Sequence, residues 1–177
     1  MSTEREVLDR LDRLAIRYYV TGSWALSVHA EPRMTRDLDL VLDLDPADYE
    51  RRIRPAFEDA YLVNDLIDVG DRAIGRLVHR TEIARVDLII GRRDAWARQA
   101  FERSRVVDHP GLGRTVVSSA EDLILAKLKW SDGGSSELQL RDCRSVIRIA
   151  SDLDWDYLER YAAIPGVGPL LESVRGG

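Results

Sequence analysis

Residues 19–44 read YVTGSWALSVHAEPRMTRDLDLVLDL, and their order decides the fold. An apolar strand runs into Gly22-Ser23, a short helix follows, and a second strand carries Asp37 and Asp39. Side chains two apart on a strand share a face. Asp37 and Asp39 therefore stand side by side, with Leu38, Leu40 and Leu42 directed into a core. Adjacent like charges are costly unless a cation sits between them. Carboxylates on a rigid strand suit Mg²⁺ (or Mn²⁺), which binds through carboxylates together with substrate phosphates. Glycine lets a backbone approach a ligand closely, and a helix N-terminus offers free N–H groups to an anion. A phosphate at Gly22-Ser23 would share a metal with Asp37 and Asp39.

Outward from this stretch, a third carboxylate lies in VDLII, residues 86–90. Val86, Leu88 and Ile90 share one face of a strand, and Asp87 points to the other. An aspartate inside such a run needs water, a partner or a metal. Beside the Asp37–Asp39 strand it completes a three-carboxylate site; at a sheet edge it is an ordinary solvated group.

Gly-Ser, a gap, Asp-x-Asp and a later Asp resemble the signature of the nucleotidyltransferase superfamily that includes DNA polymerase β. The second half sharpens the resemblance. SAEDLILAKLKW, a Gly-Gly loop, SSELQLRDCRSVIRI and LDWDYLERYA look like AbiEii-type toxins and minimal nucleotidyltransferases, although the chain lacks the extended C-terminal region of the better-known AbiEii proteins. That resemblance implies an α+β fold, with a mixed or antiparallel sheet flanked by helices and a small C-terminal helical bundle. We expect residues 1–117 to form the core and 118–177 the bundle.

It also implies roles. Asp37, Asp39 and Asp87 would hold the metals and be catalytic. Gly22, Ser23, Arg36, Lys127 and Asp142 would serve the nucleotide, with Lys127 meeting its phosphates and Asp142 orienting Lys127 or contacting the acceptor. Arg36 has a plain alternative as a solvated charge, Lys127 as a lysine lying along an apolar helix face, and Asp142 as half of a surface pair with Arg141.

The rest of the chain is read from patterning. Thr3-x-x-Glu6 and Ser118-x-x-Glu121 are capping boxes. Helices are expected over 3–16, 23–30, 45–60, 94–102, 137–151 and 154–163, with Pro32 ending the second. Residues 62–72 read as a short helix and turn. Residues 74–79 and 84–90 read as antiparallel strands, and 105–108 and 115–117 as short ones. The last stretch to Val174 is a short helix.

The 177 residues carry a net charge of −5, which argues mildly against a non-specific nucleic-acid coat. A basic strip of Arg33, Arg36, Arg92, Arg93 and Lys129 would restore an RNA surface. The single cysteine, Cys143, permits no internal disulfide, and three scattered histidines show no ligand spacing. No apolar run reaches membrane-spanning length and no signal peptide is evident, so the expected location is cytoplasmic.

The expected activity moves a nucleotide from an NTP to an acceptor hydroxyl and releases pyrophosphate. The AbiEii resemblance favours a tRNA 3′ end as acceptor and a cognate antitoxin as partner. The alternatives are transfer to a small molecule or protein, and a nucleotide-binding or antitoxin-like module without catalysis.

Overall fold

The computed structural model describes residues 2–31, 35, 37–91 and 93–176. Chain order begins with α1 (Thr3–Arg13), β1 (Tyr18–Thr21), α2 (Gly22–His29) and β2 (Asp37–Leu42). Next come α3 (Pro46–Asp48), a π-helical turn (Tyr49–Ile53), α4 (Arg54–Phe57), β3 (Tyr61–Val63) and β4 (Ile67–Asp68). β5 (Ala73–His79), β6 (Arg85–Ile90), α5 (Ala95–Arg103), β7 (Arg105–His109) and β8 (Gly113–Val117) complete the sheet region. α6 (Ala120–Lys129), α7 (Glu137–Ile149), α8 (Trp155–Ala162) and α9 (Gly168–Arg175) close the chain.

The strands form one mixed sheet in the order β3-β5-β6-β2-β1-β8-β7, with β4 paired to β5. β2 runs parallel to β6, and β1 parallel to β8; the other pairings are antiparallel. Both β2 and β6 alternate half-buried and buried residues along their length. That period-two alternation directs Leu38, Leu40, Leu42, Val86, Leu88 and Ile90 into the core and leaves the aspartates on the opposite face.

The core-side layer is α1 and the helical run from Pro46 to Phe57. Val7, Leu8 and Leu11 of α1 are fully buried, as are Tyr49, Ile53 and Phe57. Pro55 has no N–H and its ring crowds the carbonyl four residues earlier, and a wider π turn just ahead of it absorbs the misfit. Arg10 ties the two helices by bonding Glu6, Asp59 and the carbonyl of Ala56. The C-terminal helices continue the same apolar cluster through Leu123, Ile124, Val146, Leu158 and Leu171.

Three readings change. The first cap is Ser2, whose hydroxyl accepts the Arg5 N–H, and the later one is Ser119, which accepts from Asp122. Both lie one residue from the expected boxes, because the neighbouring Thr3 is already helical and Ser118 is still bonded to β1 through its N–H. Residues 62–72 are extended rather than helical: Tyr61–Val63 and Ile67–Asp68 pair with the edge of β5. Antiparallel pairing with the next strand, β5, fixes the extended form of a segment whose own pattern is weak. The helix α2 stops at His29, and Pro32, expected to end it, lies outside the described residues.

Candidate active site

Strand register builds the site in rows. Thr21 pairs with Asp39, Asp39 with Asp87, and Asp87 with Arg76. This row crosses β1, β2, β6 and β5 on the face away from the core. One step above it Asp37 pairs with Arg85. One step below, Tyr19, Val41, Ile89 and Ile74 form an apolar row in the same register. Successive rows are about 7 Å apart, twice the strand rise. A cleft of about 520 Å³ lies over these rows, roofed by Trp96, Ala97 and Ala100 of α5 and by Leu123, Ala126 and Lys127 of α6.

The Gly-Ser turn closes on the middle of the polar row. Gly22 has φ +63°, and a Cβ there would stand 1.9 Å from Asp39 Oδ2. Only glycine brings this backbone so near the carboxylate without a clash. Thr21, the residue before α2, makes no side-chain capping bond. The first turn of α2 thus keeps its N–H groups for another acceptor, and Ser23, buried in that turn, also lines the cleft.

Electrostatics single out Asp39. Burial, reinforced by Asp87 and then Asp37, pushes its carboxyl up to about 6, against the opposing pull of Lys127 and Arg85. Asp87 is held by Arg76 through two bonds of 2.7 and 3.2 Å. Asp37 pairs with Arg85. With these two turned towards arginines, no group of three His, Cys, Asp or Glu among the described residues is arranged as a metal cage. The donor chemistry nevertheless fits a divalent cation. A half-buried carboxylate whose anion is disfavoured by two acidic neighbours is the group that a dication would relieve.

Lys127 reaches the cleft from α6. Its ammonium donates to Asp142 Oδ2 at 2.7 Å and to Gln139 Oε1 at 3.2 Å, with both charged side chains about 5 % exposed or less. Asp142 is therefore a buried partner of Lys127 on α7, and the surface pair with Arg141 does not describe it. Arg36 lies outside the described residues, as do Arg33 and Arg92 of the expected basic strip. Arg93 pairs with Asp45, and Lys129 reaches the Pro165 carbonyl at 3.5 Å.

The sequence reading brought Asp37, Asp39, Asp87, Gly22, Ser23, Lys127 and Asp142 to one region, and the structure places them there. It missed Arg76, Arg85, Arg72 and Trp130. Period-two spacing already put Arg85 on the face of Asp87. Arg76, Arg72 and Trp130 come from a neighbouring strand, a turn and a helix end, so only tertiary packing announces them. The histidines are structural: His29 bonds the Ser118 carbonyl and His79 accepts the Glu82 N–H. His109 bonds Ser27, and burial lowers its affinity for a proton.

A protein of Paracoccidioides brasiliensis described as an antigenic nucleotidyltransferase-like protein shares the fold with a TM-score of 0.59 at 17% identity, covering 97% of this chain and 89% of its own. ANT(2″)-Ia, solved in complex with adenylyl-2″-tobramycin, superposes with a TM-score of 0.61 at 15% identity, over 93% of this chain and 97% of that one. The lincosamide antibiotic adenylyltransferase LnuA, solved with lincomycin, gives 0.53 at 13% identity, over 82% and 98%. At these identities the likeness speaks for the fold. No curated protein sequence matches the chain. The family profile that does match is that of aminoglycoside-2″-adenylyltransferases, a branch other than the AbiEii-type proteins expected from the sequence, and it supports neither a tRNA acceptor nor an antitoxin partner. That match runs over residues 5–107, more than half of the chain and all of the carboxylate rows, so the protein is a nucleotidyltransferase and belongs to the aminoglycoside-2″-adenylyltransferase family.

Proposed function

We propose that this protein transfers AMP from ATP to a hydroxyl of a small molecule. The observation that carries the reading is the register of Asp39 with Asp87 beneath Lys127, with Gly22 closed against Asp39. Nucleotidyltransferases generally take a divalent metal. Mg²⁺ or Mn²⁺ held by Asp37, Asp39 and Asp87 would neutralise charge on the phosphates and lower the pKa of the acceptor hydroxyl.

The chain's own residues do the positioning. The N–H groups of the first turn of α2 and the Ser23 hydroxyl receive the β- and γ-phosphates. Lys127, oriented by Asp142 and Gln139, faces the phosphate charge from the roof of the cleft. Arg76 and Arg85, released from Asp87 and Asp37, supply further positive charge at the reacting centre, where guanidinium suits phosphate oxygens. The acceptor oxygen bonds to the α-phosphorus as the bond to the bridging α,β-oxygen breaks. Pyrophosphate leaves, and the hydroxyl proton passes to Asp87. Positioned charge does most of the work, with no covalent enzyme intermediate.

A small-molecule acceptor agrees with the family and with relatives solved with tobramycin- and lincomycin-type ligands. The test is transfer of label from [α-³²P]ATP in separate reactions with a panel of hydroxylated small molecules, total tRNA and cell protein. Label on a small molecule, lost in a folded Asp39→Ala protein, supports the reading. Label on tRNA or protein alone, or label transfer unaffected by Asp39→Ala, refutes it.

A further inference from the structure

On the footing that the cleft performs nucleotidyl transfer, its strand rows decide where the nucleoside goes. The phosphate-binding turn, Gly22-Ser23, is at the β1 end of the polar row. The attacking oxygen and the departing bridging oxygen lie on opposite sides of the α-phosphorus. With pyrophosphate at the β1 end, the acceptor approaches from the β5 end, where the Arg76 side chain is 40 % exposed. The nucleoside must then leave the row sideways. Above lies the charged pair of Asp37 and Arg85. Below lies the apolar row of Tyr19, Val41, Ile89 and Ile74, which suits a ribose and a base.

The lower row is closed at one end and walled at the other. At the β1 end Tyr19 meets Phe101 of α5 edge-on, with ring centres 4.9 Å apart. At the β5 end Trp130, about one helical turn beyond Lys127, lines the cleft and is 40 % exposed. The Arg72 guanidinium packs over the Trp130 ring at 5.0 Å from its centre, which makes a flat wall. Arg72 Nε donates to Asp71 at 3.1 Å. Its Nη2 is buried with no hydrogen-bond partner among the described residues, in a side chain that is 7 % exposed overall. A buried guanidinium N–H is costly until an acceptor meets it. A planar heterocycle with an acceptor on its edge answers both features, with its face on the indole and a ring nitrogen or carbonyl oxygen on Nη2.

We propose that Trp130 and Arg72 form the nucleobase seat: the ribose crosses the apolar row, the base stacks on Trp130, and an acceptor atom on its edge receives the Arg72 Nη2 hydrogen. The acceptor substrate keeps the open β5 end of the polar row to itself. Titration calorimetry in the presence of Mg²⁺ compares two probes, α,β-methylene-ATP and tripolyphosphate, which has the phosphate chain and no nucleoside. Wild-type protein is expected to bind the nucleotide analogue more tightly. Equal affinity for the two probes leaves nucleotidyl transfer standing and overturns the seat; binding of neither sinks nucleotidyl transfer, and the seat with it.

Trp130→Ala then locates the seat. Its ring is partly exposed, so the fold should survive, and thermal unfolding checks this. The Kd of the nucleotide analogue is expected to rise about ten-fold, as for loss of an aromatic platform under a base, with the tripolyphosphate Kd changed by less than about two-fold. Trp130→Phe, which keeps a stacking face, should recover most of the loss. An unchanged analogue Kd, or an equal loss for both probes, overturns the seat. So does a loss confined to tobramycin binding, which would make the wall an acceptor surface. Arg72→Lys keeps the charge and removes Nη2; it should weaken the analogue about five-fold and spare tripolyphosphate, and an unchanged analogue Kd counts against the Arg72 contact.

Discussion

Gly22→Ala tests the site at its tightest point. The new Cβ would sit 1.9 Å from Asp39 Oδ2 and 2.8 Å from its Cγ, against at least 3.4 Å for ordinary contact. The carboxylate must withdraw by roughly 1.5 Å, or the turn must open by as much. Misplacing a reacting group by about 1 Å costs on the order of 100-fold in rate, so kcat should fall at least that far. The backbone contribution is separate. Holding alanine at φ +63° costs about 1–2 kcal/mol, which lowers the Tm of a chain this size by about 2–8 °C. Gly113→Ala is the control, since Gly113 has φ +69° and nothing within 4 Å of its would-be Cβ. It should lose similar stability and keep full activity. The assay is steady-state adenylyl transfer alongside thermal unfolding for both variants. A folded Gly22→Ala protein within about three-fold of wild-type kcat would refute the claim that this close approach sets the position of Asp39.

Other outcomes follow from the same geometry. Asp39 has its carboxyl raised from 3.8 to about 6, so the native state holds a proton that the unfolded chain has lost between those values, and stability falls as pH rises through that window. Asp39→Asn should therefore be more stable than wild type at pH 8 by roughly 2–3 kcal/mol, a gain that vanishes below about pH 4; urea unfolding at the two pH values measures it, and activity should be lost. Lys127→Met strands Asp142 in the interior and should cost about 3–5 kcal/mol, while adding Asp142→Leu should recover most of that; equal destabilisation of the single and double variants would show that the pair is not the cause. Asp122 accepts from Trp96 Nε1 at 2.8 Å, Tyr157 Oη at 2.7 Å and Ser119 Oγ at 2.7 Å. Asp122→Ala leaves those buried donors unpaired and should cost about 3 kcal/mol or more in urea unfolding. Burial, above all, pushes the Cys143 thiol up to about 12, so it should react with a thiol reagent at pH 8 only on unfolding; rapid native labelling would contradict its place in the core.

How far the sequence reaches is clearest in β2 and β6. Alternation within DLDLVL and RVDLII settles which face each residue takes, because strand side chains have a period of two. From residue types alone it also follows that a helix begins at the Gly-Ser turn and that α6 carries a cation. Those local rules determined the aspartate positions, the glycine-led turn and most helices. They failed at residues 62–72, where pairing with β5 gives a strand to a segment with no strong pattern of its own.

The tertiary structure alone decided what meets what. Nothing local states that β6 lies parallel to β2 with Asp87 level with Asp39, that Arg76 and Arg85 take up the flanking carboxylates, or that Asp142 is sealed against Lys127. These depend on register between strands far apart in the chain and on helices closing over them. The apolar row and the Arg72–Trp130 wall belong to the same category. Each residue looks ordinary in its own segment, and only the stacking of strand rows under α5 and α6 turns them into one surface, because register, unlike alternation, is set by contacts between segments.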